Sequence, residues 1–212
     1  VYDDIVIIWQ IKDLKVEDGK YKESEFKQNT DQILTARNRL FGLKLPIELN
    51  NPRRGKEIFN PNMIKKVYLI SAVLVEETTF FPLVEEVKGQ IVHTFNREFI
   101  DILLSELDTI KDFIEYLQDR ESLILSNIKI MLFGGERELF AYYLMNSHSF
   151  KNLEQHSLVI IDEGSWKDFQ KKPEYLAKKA ENHISYLWDS MIDRAHEGGG
   201  EYEKIARELA RP

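Results

Sequence analysis

The chain has 212 residues, a formal net charge of −7 and no cysteine. Lack of cysteine excludes disulfides, thiolate metal sites and cysteine nucleophiles, and is what we expect of a cytoplasmic protein. A hydrophobic content of 43% is enough for one sizeable core or two small ones, and no apolar run approaches the roughly 18 residues that a membrane span requires. The acidic balance argues against a general nucleic-acid coat protein.

Charge is distributed unevenly along the chain. Residues 1–75 hold 13 Lys and Arg against 10 Asp and Glu, whereas the remaining residues hold 16 against 26. If the protein binds nucleic acid, we therefore expect the first third to make the contact. The acidic remainder is where we expect a protein partner or a second copy of the chain.

The first element in chain order is a short apolar strand. Ile5 to Trp9 form an unbroken apolar run rich in β-branched residues, which predicts a strand buried on both faces. Asp4 precedes it and is expected in a turn. Because side chains alternate along a strand, Gln10 and Lys12 at its end point to the same side. A neutral amide and a cation therefore leave this strand together.

A helix is predicted to follow, from about Ser24 as its N-cap to Leu40 or Phe41, with Gly42 as its stop. Helical spacing gives it a core face made of Phe26, Ile33, Ala36 and Leu40. A polar stripe runs along the same helix and comprises Gln28, Gln32, Thr35 and Arg39. Any amphipathic helix has such a polar face. If the stripe is functional, Gln32, Arg37 and Arg39 are the candidates for contacting nucleic acid.

Residues 44–64 are predicted to be a long loop, since they contain three prolines and four asparagines. Arg53, Arg54 and Lys56 form the densest basic cluster of the chain within this span. The cluster is either simply solvated or placed to contact a phosphate backbone.

Two further strands complete the predicted core. Residues 67–75 are almost continuously hydrophobic and predict a central strand, and residues 90–95 predict a shorter one that carries His93 as a packed residue. A strand, a helix and another buried strand indicate a parallel crossover. The sequence therefore predicts an α/β fold, with a mixed central sheet flanked by helices.

The second half of the chain is predicted to be rich in helices. Asn96 and Asp108 are expected to cap the two helices of a hairpin, and the charged residues 118–121 are the candidate boundary between a region 1–120 and a region 121–212. Beyond it we expect a helix over 136–146, a strand over 157–162 and a long helix over 174–193.

The Gln10-x-Lys12 pair at the end of a core strand resembles the second half of the signature of the PD-(D/E)xK nucleases, the restriction-endonuclease-like superfamily, in its Mrr-like variant. The resemblance implies a nuclease core over residues 1–120 and Mg²⁺- or Mn²⁺-dependent hydrolysis of DNA. It implies that Gln10 supplies a ligand oxygen and that Lys12 assists the attacking water. Asp4 is the acidic candidate for a metal ligand near this strand.

The first acid of the family signature does not have its usual place in this sequence. In the family an Asp lies on the preceding strand, ten or more residues before the acid-x-Lys position, whereas Asp4 lies only six residues before Gln10. We therefore expect that Asp upstream of Val1, and we expect the chain as given to be catalytically weak or inactive.

A second hypothesis remains open beside the nuclease. The missing acid and the acidic second half are also typical of a non-catalytic module on a nuclease-like scaffold, which binds protein or nucleic acid. In that case the residues after 120 supply a face for a protein partner or for a homo-oligomer.

Overall fold

The computed structural model describes residues 1–17, 20–51, 55–75, 82–126 and 128–182. Val1–Glu163 form one compact unit, and the chain from Gly164 onward belongs to a second. The described strands of the first unit are β1 (Ile5–Asp13), β2 (Val16–Glu17), β3 (Lys20–Tyr21), β4 (Ile47–Asn51), β5 (Gly55–Phe59), β6 (Lys66–Leu74), β7 (Val84–Val87), β8 (Gln90–Asn96), β9 (Lys129–Leu132) and β10 (Leu158–Ile161). Its described α-helices are α1 (Glu23–Gly42), α2 (Arg97–Glu106), α3 (Ile110–Leu125) and α4 (Glu136–Met145).

A four-stranded mixed sheet is the centre of the first unit. Its strand order is β1-β6-β8-β7, in which β1, β6 and β8 are parallel and β7 is antiparallel to β8. Helix α1 connects β1 to β6 and packs on one face, whereas α2 packs on β6 and β8 from the other face. The predicted α/β fold with a flanked mixed sheet is confirmed, as is the parallel β1-α1-β6 crossover.

Helix α1 is held on the sheet by an apolar stripe. Ile33 and Leu34 pack against Leu69 and Val92, all of them buried. The helix ends at Gly42 as predicted, but it begins at Glu23 with Lys22 as an N-cap that makes no side-chain hydrogen bond. The prediction of Ser24 as the N-cap is therefore wrong. The apolar stripe, and not a cap, fixes where this helix lies.

Strand β1 is the end strand of this sheet within the described part of the chain. Its register with β6 is parallel, from Ile5 opposite Lys66 to Asp13 opposite Leu74. Two of its apolar side chains remain accessible, Trp9 at 39% and Ile11 at 61%. The prediction of a strand buried on both faces is wrong, because an apolar run does not reveal whether a neighbouring element covers it.

The predicted loop over residues 44–64 contains regular structure. β4 and β5 form an antiparallel hairpin, and a 3₁₀ turn follows at Pro61–Met63. Lys56 on β5 forms an ion pair with Glu48 on β4, with 2.8 Å between Nζ and Oε1. Arg53 and Arg54 lie outside the described residues. Counting Pro and Asn overlooked the alternating apolar positions Ile47 and Leu49 on the first arm of the hairpin.

Two helices pack beside the sheet in the order predicted, with one cap displaced. The Asn96 side chain accepts a hydrogen bond from Phe99 N at the start of α2, as expected of an N-cap. Thr109, and not Asp108, caps α3 in a reciprocal capping box with Asp112. The predicted boundary at residues 118–121 falls inside α3, whereas the division between the two units lies at Glu163 and Gly164.

A second, smaller β-α-β arrangement completes the first unit. β9 and β10 pair in parallel, and α4 lies between them in the chain. The predicted helix over 136–146 is therefore confirmed as α4, and the predicted strand over 157–162 is confirmed as β10.

Of the second unit, residues 164–182 are described. α5 (Ser165–Gln170) precedes helical residues 173–182, and the rings of Trp166, Phe169 and Tyr175 pack together with centroids 4.9–6.4 Å apart. The predicted helix over 174–193 is helical as far as residue 182, and its remainder lies outside the described residues. None of the described helices is long and apolar enough to cross a membrane.

A fully buried arginine joins α3 to the rest of the first unit. Arg120 on α3 is 0% exposed and forms an ion pair with Glu136 at the start of α4 through both Nε and Nη2. Its Nη2 also donates to the Leu83 carbonyl oxygen at 2.8 Å, and its Nη1 contacts His93 Nδ1 at 2.6 Å. The Tyr116 hydroxyl adds a further hydrogen bond to Glu136 at 3.0 Å. A buried charge is tolerated when it is paired and hydrogen-bonded to this extent.

Replacing Arg120 by methionine is expected to lower the free energy of unfolding by about 3–5 kcal/mol, because Glu136 is left buried without its partner. Lys111→Met is the matched control, since Lys111 on the same helix pairs with Glu115 at the surface, and we expect a change below about 0.5 kcal/mol. The double variant Arg120→Met/Glu136→Gln should recover part of the loss. Urea unfolding measures all three, and equal losses in Arg120→Met and Lys111→Met would contradict the role of the buried pair.

Candidate functional site

A polar cleft lies between the carboxyl-terminal half of β1 and the outer face of α1. It has a volume of about 670 Å³. The residues that line this polar cleft are Gln10, Ser24, Lys27, Gln28, Asp31, Gln32, Thr35, Ala36 and Arg39. The four residues of the predicted polar stripe are all among them.

Gln10 and Gln32 meet across the polar cleft. The even-numbered side chains of β1 face α1, and Gln10 Nε2 donates a hydrogen bond to Gln32 Oε1 at 3.2 Å. Lys12 lies on the same side of β1, two residues further along, and is half-buried. Two predicted site residues on separate elements are thus in contact, and the Lys12 ammonium follows on the same side of the strand.

A buried polar contact beneath the polar cleft was not foreseen from the sequence. Asn29 of α1 is 0% exposed, and its Nδ2 donates to Ser71 Oγ at 2.7 Å and to the Gln10 carbonyl oxygen at 3.4 Å. These hydrogen bonds attach α1 to β6 through Ser71, and to β1 through the backbone of Gln10. A signal was present, because Asn29 lies on the apolar stripe of α1 between Phe26 and Ile33, where a buried polar residue needs a partner.

The predicted arginines do not lie together. Arg39 lines the polar cleft, whereas Arg37 does not. Arg37 is nine residues after Gln28, which is about half a turn from the polar stripe on a regular helix. Its guanidinium carbon lies 5.8 Å from the centre of the Phe41 ring. Arg37 therefore lies on another face of α1 than the polar cleft, and its contact with nucleic acid stays a prediction.

Lys56 and Asp4 are engaged elsewhere. Lys56 pairs with Glu48 in the β4-β5 hairpin. Asp4 lies in the predicted turn before β1, where Lys65 Nζ approaches its Oδ2 to 2.7 Å, and this hydrogen bond lowers the pKa of Asp4. Six extended residues separate Asp4 from Gln10, a distance of about 20 Å. Asp4 and Gln10 therefore cannot be ligands of one metal ion.

The described residues do not fit a magnesium site. Mg²⁺ prefers one or more carboxylates in an octahedral arrangement of oxygens. Asp31 is the acidic residue that lines the polar cleft, and its Oδ1 lies 3.9 Å from Lys88 Nζ. In the part of the chain that the structure describes, no group of three or more His, Cys, Asp or Glu could hold a metal ion. We therefore derive no hydrolytic step from these residues.

A second group of titratable side chains surrounds His93 on β8, which is fully buried as predicted. Arg120 donates to His93 Nδ1, so the proton of the neutral ring lies on Nε2, which donates to Glu121 Oε1 at 3.1 Å. Burial would raise the pKa of Glu121, but hydrogen bonds from His93 and Lys66 lower it below its usual value. The Lys66 ammonium lies 2.6 Å from Glu121 Oε2. This chain of bonds joins β6, β8 and α3 and leaves the imidazole no free nitrogen.

His93 is expected to make the protein less stable as the pH falls. Burial, with a smaller effect from Arg120, lowers the pKa of His93 from 6.5 to about 4, although the bond to Glu121 opposes the shift. Below pH 6.5 the unfolded chain therefore binds a proton that the folded chain excludes until about pH 4. The free energy of unfolding is therefore expected to fall by about 2 kcal/mol as the pH is lowered from about 7.5 to about 5.

The variant His93→Gln removes the titrating group and is expected to show a smaller loss of stability over the same pH range. Urea unfolding at the two pH values measures the difference. Equal pH dependence in the two proteins would contradict a buried, neutral His93.

Comparison with known proteins finds no relative of this chain. No family model matches the sequence, and neither the curated proteins nor the solved structures give a match. The resemblance to the PD-(D/E)xK nucleases therefore depends on Gln10, Lys12 and the order of strand, helix and strand, and it stays a prediction.

Proposed function

We propose that this chain is a nucleic-acid-binding module that contacts the phosphodiester backbone of DNA through the polar cleft. The observation that carries the proposal is the contact between Gln10 and Gln32, which brings the end of β1 and the polar stripe of α1 into one surface. Amide side chains and cations are the groups that proteins use to contact phosphates and sugars.

The cations of the polar cleft are spaced suitably for a nucleic-acid strand. Lys27 and Arg39 are twelve residues apart on α1, which separates their Cα atoms by about 18 Å. One strand of B-form DNA carries about five phosphates over that length. Gln28 and Gln32 lie between the two cations and supply amide hydrogen-bond donors without adding negative charge. Asp31, in the same row, is offset by Lys88.

The proposed module binds nucleic acid without hydrolysing it. The resemblance to the PD-(D/E)xK nucleases places Gln10 and Lys12 in a catalytic centre, but that chemistry requires a carboxylate-bound metal ion, and the described residues around the polar cleft do not fit one. A nuclease-like scaffold that retains the binding surface, and whose described residues lack a set of metal ligands, accounts for both observations.

Binding is tested by fluorescence anisotropy with labelled single-stranded and duplex DNA at several salt concentrations. We expect salt-dependent binding that Arg39→Ala weakens about fivefold, corresponding to about 1 kcal/mol, with a salt slope lower by about one. The matched control is Arg97→Ala, which removes an exposed arginine from α2 on the opposite face of the sheet. Binding that is absent, or that Arg97→Ala weakens as much as Arg39→Ala, would rule out the polar cleft as the DNA-binding surface.

Hydrolysis is tested separately, by incubating the chain with DNA and either Mg²⁺ or Mn²⁺. We expect no cleavage from the wild-type chain or from Lys12→Ala, because no set of carboxylates in the described residues holds the metal. Metal-dependent cleavage that disappears in Lys12→Ala would contradict the non-catalytic proposal and favour a nuclease.

A further inference from the structure

The face of β1 opposite the polar cleft forms part of an apolar groove. It has a volume of about 580 Å³. The residues that line this apolar groove are Trp9, Ile11, Ala72, Leu74, Ile100, Leu103, Leu104, Leu107, Asp108, Thr109, Ile110 and Phe113. Its floor is formed by β1 and β6, and its wall by α2, α3 and the turn between them.

The apolar groove exposes several large side chains at once. Leu104 is 72% exposed, Ile11 61%, Ile110 45% and Trp9 39%. Single exposed apolar residues are normal, but a contiguous group of this kind marks an interaction surface. Trp9 is held in place at the bottom of the groove, because its ring stacks on Phe113 with centroids 5.7 Å apart. The surface is therefore preformed.

The groove lies beside α2, over the end strand of the described sheet. Strands are about 4.8 Å apart and a helix is about 10 Å across, so one helix covers about two strands of a sheet. On this face α2 packs against β6 and β8. The position beside it, over β1, is where the groove lies. A helix laid there would continue the layer that α2 and α3 begin.

The charged residues around the groove indicate which kind of partner would bind there. Residues 97–115, which form α2, the turn and the first part of α3, contain six acidic residues, but Glu98 pairs with Arg137, Glu115 pairs with Lys111 and Glu106 is buried. Asp108 lines the groove, Asp13 lies on the same side of β1 as Trp9 and Ile11, and none of the lining residues is Lys or Arg. An occupant with basic residues beside its apolar stripe complements this surface.

We propose that the apolar groove binds a basic amphipathic helix of a protein partner. Leucine-sized side chains at positions i, i+3, i+4 and i+7 of that helix enter the groove between β1 and α2, and its Lys or Arg side chains face Asp13 and Asp108. This interaction is independent of the polar cleft, which lies on the other face of the sheet.

The test uses three designed peptides of about 18 residues, long enough to form a helix on binding. The first has Leu at helical spacing and Lys elsewhere, the second has Glu in place of every Lys, and the third has the composition of the first with Leu off helical spacing. Isothermal titration calorimetry with the full chain is expected to show binding of the first peptide, and binding of the other two at least about tenfold weaker.

Two variants locate the binding. Leu104→Glu, at an exposed position of the groove, is expected to weaken binding of the basic peptide at least about tenfold. The matched control is Ile58→Glu on β5, where the side chain is 68% exposed away from the groove, and it should bind like the wild type. Asp108→Asn should reduce the preference for the Lys peptide over the Glu peptide. Circular dichroism confirms that each variant is folded.

Three results would overturn the proposal. The first is equal binding of the basic and acidic peptides, and the second is unchanged binding in Leu104→Glu. The third is a wild-type dimer that Leu104→Glu converts to a monomer, which would assign the groove to a second copy of the chain. Size-exclusion chromatography with light scattering distinguishes this last result.

Discussion

The buried ion pair between Arg120 and Glu136 is the constraint on which the arrangement of the first unit depends. A guanidinium removed from water must find an acceptor for each of its N–H groups, and here the acceptors come from α4, from β8 and from the segment before β7. Few positions of α3 satisfy all of them together. The aromatic core formed by Phe99, Tyr116 and Phe140 adds stabilisation but little directional restraint.

Strand β1 has two different faces. Alternation along the strand sends Gln10 and Lys12 towards α1 and sends Trp9 and Ile11 towards α2 and α3. In the described sheet β1 has one neighbouring strand, β6, so neither face is closed by a further strand and its covering helix. One end strand thus contributes to a polar cleft on one side and to an apolar groove on the other.

The sequence predicted the elements that depend on neighbouring residues, but it did not predict contacts between residues that are far apart in the chain. A nearly continuous apolar run located β6, a shorter and more mixed run located β8, and helical periodicity located α1, since these signals arise from burial of neighbouring residues. Helical spacing correctly placed Gln32 in one stripe with Gln28, Thr35 and Arg39, whereas the contact of Gln32 with Gln10 was not predicted. The partners of Asn29 and Arg120 could not be predicted, because Ser71, Glu136 and His93 become their neighbours only through folding. The ion pair of Asp4 with Lys65 is non-local for the same reason.

An acidic chain can have both a surface for DNA and a surface for a basic helix, because salt limits the distance over which charged residues interact. Charges on exposed surfaces are screened beyond about 8 Å at physiological ionic strength. Helices α1 and α2 lie on opposite faces of the sheet, so their axes are separated by about two helix diameters, or roughly 20 Å. The net charge of −7 therefore excludes neither of the two proposed interactions. The charged residues that line the polar cleft are Lys27, Asp31 and Arg39, whereas Asp108 lines the apolar groove and Asp13 lies beside it.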